Sequence, residues 1–171
     1  MDGIKLGGTA FRVRHSFLVF NALIFLLRDS RVMLTFYGVC LIHELGHCIA
    51  IRFFGGKVSS VEFSGLGIRI TAPPPRSLRE GIAVLMSGPA VNIAAFLLLE
   101  LFGRNGYAAE LNLAEGLFNL LPFPFLDGGA LLLLIAEGSP SEALWRKIMT
   151  ALQAVTVCVL VYLLFSLKQL I

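Results

Sequence analysis

The sequence predicts an all-α polytopic membrane protein, a bundle of about five transmembrane helices with a small β-hairpin between the second and the third. Two observations predict this class. Hydrophobic residues make up 57% of the chain and charged residues 15%, whereas a soluble domain carries about 25% charged residues. The charges also cluster in short breaks between apolar runs, as they do in a chain that crosses a bilayer several times.

Five apolar runs predict the helices. A spanning helix needs about 20 apolar residues, and four of the runs reach that length. The first run is shorter, so it either crosses the membrane or lies in the interface. The length of 171 residues predicts one membrane-embedded domain, 1–171. In chain order the runs cover residues 17–27, about 32–54, 80–102, 113–136 and 148–167.

The segment between the second and third runs has a different pattern. Val61 and Phe63 precede a Ser64–Gly67 turn, and Ile68 and Ile70 follow it, which predicts a small β-hairpin. With the N-terminus in the cytoplasm, the inner segments would hold ten of the 14 Lys and Arg residues. This bias favours that orientation and places the hairpin in the cytoplasm. The orientation inverts if the first run does not cross.

The second run contains the motif His43-Glu44-Leu45-Gly46-His47. Two histidines four apart on a helix point the same way and can bind one metal ion, and the glutamate between them can act on the attacking water. A pair of packing histidines is the alternative interpretation. A metal-hydrolase motif inside an apolar run predicts peptide hydrolysis within the membrane or at its edge.

Asp127 is the candidate for a third metal ligand. Zinc hydrolases use three protein ligands and keep a fourth position for water. An ionised aspartate in lipid is costly unless something neutralises it, and a metal ion would do so. The segment 119–129 contains two prolines and two glycines, which should break its helix around a cavity. The alternative is a turn aspartate between two shorter helices.

Asn92 is the candidate for contact with a substrate. It ends the segment Ser87–Asn92 in the third run, where Gly88 permits close helix packing and Pro89 frees a backbone carbonyl. The Asn92 amide either donates a hydrogen bond to a substrate carbonyl or oxyanion, or holds helices together. The sequence leaves both roles open. Asn119 is a weaker candidate of the same kind.

Other reactive or charged residues near the apolar runs are predicted to be structural. The three cysteines Cys40, Cys48 and Cys158 form no CxxC pair, and all lie in apolar runs. They are therefore predicted to be small buried hydrophobic residues. Glu115 is predicted to lie near a helix end, at the membrane interface.

The three motifs, in this order on successive apolar runs, resemble those of the site-2 protease family of intramembrane zinc metalloproteases. The family pattern is HExxH on one helix, G-P-x-x-N on the next and N-x-x-P-x-P-x-x-D-G on the third. This sequence matches it at 43–47, 88–92 and 119–128. The resemblance covers about 32–138, the expected catalytic core. The short chain and small hairpin look most like the sporulation-type branch, whose members often carry a C-terminal CBS domain that these 171 residues do not include.

The resemblance implies a reaction and a set of roles. The reaction is hydrolysis of a membrane-associated protein in or near a transmembrane segment, after local unwinding. The hairpin would pair with the extended substrate or anchor the chain on the membrane surface. The resemblance implies one Zn²⁺ per chain, bound by His43, His47 and Asp127. It implies that Glu44 is the general base and acid. It also implies that Asn92 contacts the substrate or the oxyanion.

The expected location is the bacterial inner membrane, as an integral multi-pass protein with its active site toward the cytoplasm. The expected partners are the substrate, the lipid bilayer and a regulatory membrane protein, while the oligomeric state stays open. A nucleic-acid partner is not expected, because the chain has no basic face rich in aromatic residues. One rival interpretation is a catalytically silent, protease-like membrane protein that binds or regulates a partner. Another is a metal transporter, although the symmetric halves usual in transporters are not visible.

Overall fold

The computed structural model describes residues 3–27, 30–65, 67–104, 106–137 and 139–168. The chain forms two compact units, Met1–Leu117 and Phe118–Ile171. The first unit contains, in order, β1 (Ile4–Leu6), β2 (Thr9–Val13), α1 (His15–Leu27), α2 (Ser30–Phe53), β3 (Ser60–Ser64), β4 (Gly67–Thr71), α3 (Leu78–Leu101) and most of α4 (Tyr107–Asn119). The second unit contains α5 (Asp127–Ala136) and α6 (Glu142–Lys168).

Three helices in the described part of the chain are long and apolar enough to cross a membrane. They provide the candidate spans Arg31–Phe53 in α2, Leu78–Leu101 in α3 and Glu142–Tyr162 in α6. Helix α1 has 13 residues and α5 has 10, fewer than the roughly 20 that a straight span needs. The predicted class of helical membrane protein is confirmed, while the number of five spanning helices stays a prediction.

The fourth apolar run forms two short helices, and the break lies in the segment 119–129, where its prolines and glycines predict it. Helix α4 ends at Asn119 and α5 begins at Asp127. Pro122 and Pro124 lie in the connection, and proline lacks the N–H of a helical residue and disfavours helical backbone just before it. The two prolines therefore separate two short helices, as the alternative interpretation of Asp127 assumed.

Two glycines let this connection fold back over the start of α5. A side chain on Gly128 would collide with the backbone of Leu120, and one on Gly129 would collide with the backbone of Phe123. Both glycines are buried at the beginning of the helix. The tight turn therefore fixes Asp127, the first residue of α5, against its own preceding loop.

The predicted hairpin is confirmed as β3 and β4, but it is only half of a four-stranded sheet ordered β1-β2-β3-β4. Strand β1 pairs antiparallel with β2, and β2 pairs parallel with β3. Gly7 and Gly8, both with positive φ, join the first two strands. A glycine pair between two short extended segments is a hairpin signal, and it could have revealed these strands from the sequence.

One face of the sheet is apolar. The Phe63 ring on this face lies 5.6 Å from the Phe17 ring of α1, so the face packs toward the first helix. On the opposite face Arg12, Glu62 and Arg69 lie side by side on three strands. The apolar face consists of two cross-strand rows, Ile4–Phe11–Val61–Ile70 and Val13–Phe63–Ile68.

Candidate metal centre and active site

His43 and His47 converge on one point beside α2. Residues four apart lie on the same face of a helix, and both histidines are buried, with 4% and 8% of their surface exposed. Their Nε2 atoms lie 3.1 Å apart. Two nitrogens that bind one tetrahedral zinc at about 2.0–2.1 Å would lie about 3.3–3.4 Å apart. The pair is therefore arranged as two ligands of one metal ion would be.

The ring of His47 is oriented by α3. Its Nδ1 lies 2.8 Å from the carbonyl oxygen of Val84. Because a carbonyl only accepts, Nδ1 carries the proton and Nε2 keeps its lone pair for a metal. The Ser87 hydroxyl donates to the same carbonyl at 2.6 Å and lies 3.4 Å from the same Nδ1. Histidine ligands of metals usually have such a partner on the second ring nitrogen.

Glycines on both helices allow α2 and α3 to meet at the histidine pair. A methyl group on Gly88 would lie 2.6 Å from Nε2 of His43 and 2.7 Å from Cε1 of His47. A methyl group on Gly46 would lie 2.7 Å from the carbonyl oxygen of Ser87. All three distances are shorter than van der Waals contact, so larger residues would push the helices apart. The expected close packing at Gly88 is thus present, and Gly46 permits the same close approach from the side of α2.

Asn92 lies one turn after Gly88 on α3 and is fully buried, with 0% of its surface exposed. Among the described residues, neither its Nδ2 nor its Oδ1 has a hydrogen-bond partner. A buried polar group without a partner costs roughly 1–3 kcal/mol. Hydrogen bonding between helices therefore does not account for Asn92 within the described part of the chain. A group from outside the chain would satisfy this amide.

Asp127, the residue predicted as the third metal ligand, belongs to the second unit, whereas both histidines belong to the first. Asp127 is the first residue of α5, where the helix dipole favours a negative charge. Glu44, the fourth polar residue expected here, is half-buried on α2. The predicted ligands are thus two buried imidazoles on α2 and a carboxylate at the start of α5.

Glu115 is half-buried on α4, four residues before that helix ends at Asn119. The Cys40 thiol donates to its Oε1 at 4.0 Å. The position of Glu115 at the membrane interface stays a prediction. Cys40 itself is buried, as predicted. Cys48 is only half-buried and Cys158 is exposed, which contradicts the prediction of three buried cysteines.

Several contributors to the site region carry no sequence signal of their own. The carbonyl of Val84 is a backbone group, and no residue type marks it. In the second unit, Gln153 of α6 donates from Nε2 to the Pro122 carbonyl at 2.8 Å and so supports the proline-containing connection. An isolated glutamine in an apolar helix was the available hint, because a polar side chain at membrane depth needs a partner.

Comparisons with known proteins relate this chain to peptidases. Residues 105–163 match the model of Peptidase family M50. The chain is 34% identical to stage IV sporulation protein FB of Bacillus subtilis over 132 residues, which are 71% of this chain and 46% of that protein. It is 30% identical to a zinc metalloprotease of Methanocaldococcus jannaschii over 124 residues, 67% of this chain and 34% of that protein. The chain carries a peptidase family M50 domain.

The fold of this M50 domain is also that of a known site-2 protease. The site-2 protease from Methanocaldococcus jannaschii matches with a TM-score of 0.70 and 21% identity, over 99% of this chain and 87% of that one. This match shows the fold, and together with the M50 model and stage IV sporulation protein FB it bears out the resemblance to the site-2 protease family. The M50 chain spans less than half the length of the two curated relatives.

Proposed function

We propose that this M50 chain is an intramembrane zinc metalloendopeptidase that hydrolyses membrane-associated substrates in or near a transmembrane segment. The observation that carries the proposal is the histidine pair. His43 and His47 are buried, their Nε2 atoms are 3.1 Å apart, and they lie inside the candidate span Arg31–Phe53. The name zinc metalloprotease, which a relative carries, supports zinc as the metal.

The proposed ligands of one zinc ion are Nε2 of His43, Nε2 of His47 and the carboxylate of Asp127. Catalytic zinc sites use three such nitrogen and oxygen ligands and leave one position open. The hydrogen bond from Nδ1 of His47 to Val84 supports this assignment, because it leaves Nε2 deprotonated. When bound, zinc would polarise the scissile carbonyl and lower the pKa of water to about 7.

Glu44 is the proposed general base and acid. Its place between the two histidines puts it on the helix turn that faces the metal centre. In this role the carboxylate accepts a proton from the attacking water and then donates it to the leaving amine. The half-buried position of Glu44 supports the role, since the group adjoins the buried centre without being sealed inside the helix bundle.

Asn92 is proposed to bind the substrate carbonyl or the oxyanion that develops from it. The proposal rests on the buried amide, which has no partner among the described residues. An amide donor held in a buried site needs no reorganisation when negative charge develops on the oxygen. Asn92 would therefore contribute to the rate and not to zinc affinity.

A substrate would have to present an extended segment, because a helix hides its peptide bonds in its own hydrogen bonds. Strand β3 has neighbours on both sides, so the free edge of the predicted hairpin is β4. Strand β4 contacts α2, the helix with both histidines. Pairing of the substrate with β4 is therefore the favoured role, and anchoring of the sheet on the membrane surface is the alternative.

The proposed location is the bacterial inner membrane, with the sheet and the active-site entrance on the cytoplasmic side. Basic residues on the sheet side of the spanning helices support this orientation, since cytoplasmic loops are rich in Lys and Arg. They include Arg12, Arg14, Lys57, Arg69 and Arg76. A membrane-bound substrate and a regulatory membrane protein are the proposed partners.

Zinc K-edge X-ray absorption on the purified, metal-replete protein tests the proposed centre. We expect one zinc per chain, bound by two imidazoles and by oxygen, without sulfur. Asp127→Asn should weaken zinc binding by more than the 10–100-fold that a lost supporting partner typically costs. Glu137→Gln, at the other end of α5, is the matched control and should bind zinc normally. Sulfur ligands, or full zinc affinity in Asp127→Asn, would contradict the proposal.

A further inference from the structure

The first two strands form a hairpin with one apolar and one basic face, which we name the N-terminal hairpin (residues 4–13). Side chains alternate between the two faces of a strand. Lys5 and Arg12 lie on the basic face. Arg14, directly after β2, continues this face, because its Nε lies 2.7 Å from Oε1 of Glu62, the neighbour of Arg12 on β3. The apolar face of the N-terminal hairpin consists of Ile4, Leu6, Phe11 and Val13.

The helices cover the apolar face of the sheet only in part. Strands β3 and β4 contact α1 and α2, and the side chains of this face are half-buried there. On β1, in contrast, Ile4 is 71% exposed and Leu6 is 65% exposed. Isolated exposed hydrophobic residues are common, but these two share one face with Val13, which is exposed as well. A continuous exposed apolar face marks a contact with a membrane or with another protein.

The basic face carries a surplus of positive charge. Arg69 of β4 lies on this face too, next to Glu62 in the register of β3 and β4. Its four cations, Lys5, Arg12, Arg14 and Arg69, are all exposed. Within the four strands Glu62 is the acidic residue of this face, and it is paired with Arg14. Four cations against one carboxylate leave three positive charges, so this face is complementary to an anionic surface.

An open cleft of about 380 Å³ lies on the basic face, between the end of β2 and the start of α1. Pockets for small ligands have volumes of about 300–1,000 Å³, so this cleft is large enough for the headgroup of a phospholipid. Arginine suits such a ligand, because its planar fork of N–H donors matches the oxygens of a phosphate. The cleft is lined by Arg12, Val13, Arg14, His15, Ser16 and Glu62.

The start of α1 indicates the depth of the N-terminal hairpin in the membrane. Arg14 precedes Phe17, where the apolar run of α1 begins, by three residues, or about 4.5 Å at 1.5 Å per residue. Each headgroup layer of a bilayer is about 5–7 Å thick. Helix α1 presents exposed aliphatic side chains to lipid, among them Leu18, Val19, Leu23 and Leu26. The hairpin that directly precedes this helix would therefore lie at the level of the headgroups.

Two other occupants fit the two faces less well than lipid does. A second copy of the chain, paired antiparallel along the free edge of β1, would bring together the two Lys5 side chains in the middle of that strand. Like charges opposite each other are destabilising, and lysine is a residue that protects free edges from pairing. An acidic protein segment on the basic face would leave Ile4 and Leu6 uncovered. A lipid leaflet with anionic headgroups covers both faces at once.

We propose that the N-terminal hairpin is an anchor at the membrane interface, which inserts Ile4 and Leu6 among the acyl chains and binds the phosphate groups of anionic phospholipids on its basic face. Interfacial amphipathic helices bind through the same combination of buried apolar area and attraction to anionic lipids. The free edge of β4 lies on the opposite side of the sheet, so the anchor leaves it open. The inference is independent of proteolysis, because lipid contact requires no catalytic step.

A nitroxide spin label on Leu6→Cys, and separately on Lys5→Cys, measures the depth of the two faces. The full chain, without its native cysteines, would be reconstituted at one chain per nanodisc of phosphatidylcholine and phosphatidylglycerol. Oxygen partitions into the acyl chains and a nickel chelate stays in water. Because neighbouring side chains point to opposite faces, we expect a several-fold higher ratio of oxygen to nickel accessibility at position 6 than at position 5.

Two results of this measurement would overturn the proposal. Equal ratios at the two positions would place both faces of β1 in water. A high ratio at position 6 that appears only with two chains per nanodisc would identify a second copy of the chain as the occupant.

A fluorophore on Leu6→Cys measures which headgroup the hairpin selects. Its quenching by brominated phosphatidylglycerol would be compared with its quenching by brominated phosphatidylcholine, and we expect the anionic lipid to be preferred. Arg12→Gln together with Arg69→Gln should lower this preference by about fivefold for each cation removed. Arg104→Gln together with Lys147→Gln removes the same charge at exposed positions outside the sheet and should leave the preference as it was.

Salt tests the charge without a substitution. High ionic strength screens exposed charges, so it should reduce the preference for phosphatidylglycerol in the labelled parent chain. Equal quenching by the two lipids in the parent chain, or a preference that survives either high salt or the loss of both arginines, would overturn the proposal.

Discussion

At the scale of single residues, a substitution of Asn92 can distinguish a catalytic role of this side chain from a role in packing. Leucine has a similar volume, and Asn92→Leu would remove no hydrogen bond to any described residue. We therefore expect the melting temperature to stay the same or rise, because an unpaired buried amide is lost. Loss of an oxyanion donor typically lowers kcat by about 10²–10³, and zinc content should not change. The measurements are thermal unfolding, metal analysis and cleavage rates.

The opposite pattern would identify Asn92 as a residue that holds the helices together. In that case Asn92→Leu would lower the melting temperature and the zinc content together, and the loss of activity would follow the loss of folded protein. Val91→Leu, at the neighbouring position on α3, is the control for a change of side-chain size beside Gly46.

Single residues also differ in how far the sequence could predict them. The two histidines and Glu44 follow from a local motif on one helix, so their spacing is sufficient. The need for glycine at position 46 arises where α2 crosses α3, against Ser87, and no local pattern encodes that contact.

The sheet constrains how the first two helices cross the membrane. Strand β2 precedes α1, strand β3 follows α2, and the two strands are paired. Paired strands lie on one side of a bilayer, so α1 and α2 together must cross it an even number of times. Since α2 contains a full candidate span, this pairing supports the prediction that the first apolar run also crosses.

Labelling of single cysteines tests this constraint. In a background without native cysteines, a cysteine at Lys5 and one at Lys57 should react with a membrane-impermeant maleimide from the same side. A cysteine at Arg104, beyond the span of α3, should react from the other side. All three positions are exposed. Labelling of positions 5 and 57 from opposite sides would contradict the paired strands.

Helices could be predicted from the sequence where one continuous apolar run extends over the whole helix. The runs of α2, α3 and α6 exceed the length of a membrane span, and all three helices form. The run 113–136 is equally apolar, but hydropathy does not register the backbone limits that Pro122 and Pro124 impose. Strands β1 and β2 were missed because three and five residues give too little alternation to recognise, although Gly7 and Gly8 marked the turn.

For the whole molecule, the membrane class and the family followed from composition and from three motifs, and both are confirmed. His47 precedes the end of the candidate span at Phe53 by six residues, or about 9 Å at 1.5 Å per residue. The hydrocarbon core of a bilayer is about 30 Å thick. The proposed zinc centre would therefore lie inside the membrane, but close enough to the sheet side for water to reach it.

The central claim is that the proposed zinc centre, at this depth in the membrane, is the active site of a peptidase. A comparison of wild type with Glu44→Gln tests it most directly. Wild type and Glu44→Gln would be purified in detergent, analysed for zinc and assayed on a membrane-tethered test substrate. We expect equal zinc in both proteins and cleavage by wild type alone, since general-base catalysis is worth about 10²–10⁴-fold. Absence of zinc from metal-replete wild type, or equal cleavage by both proteins, would contradict the account.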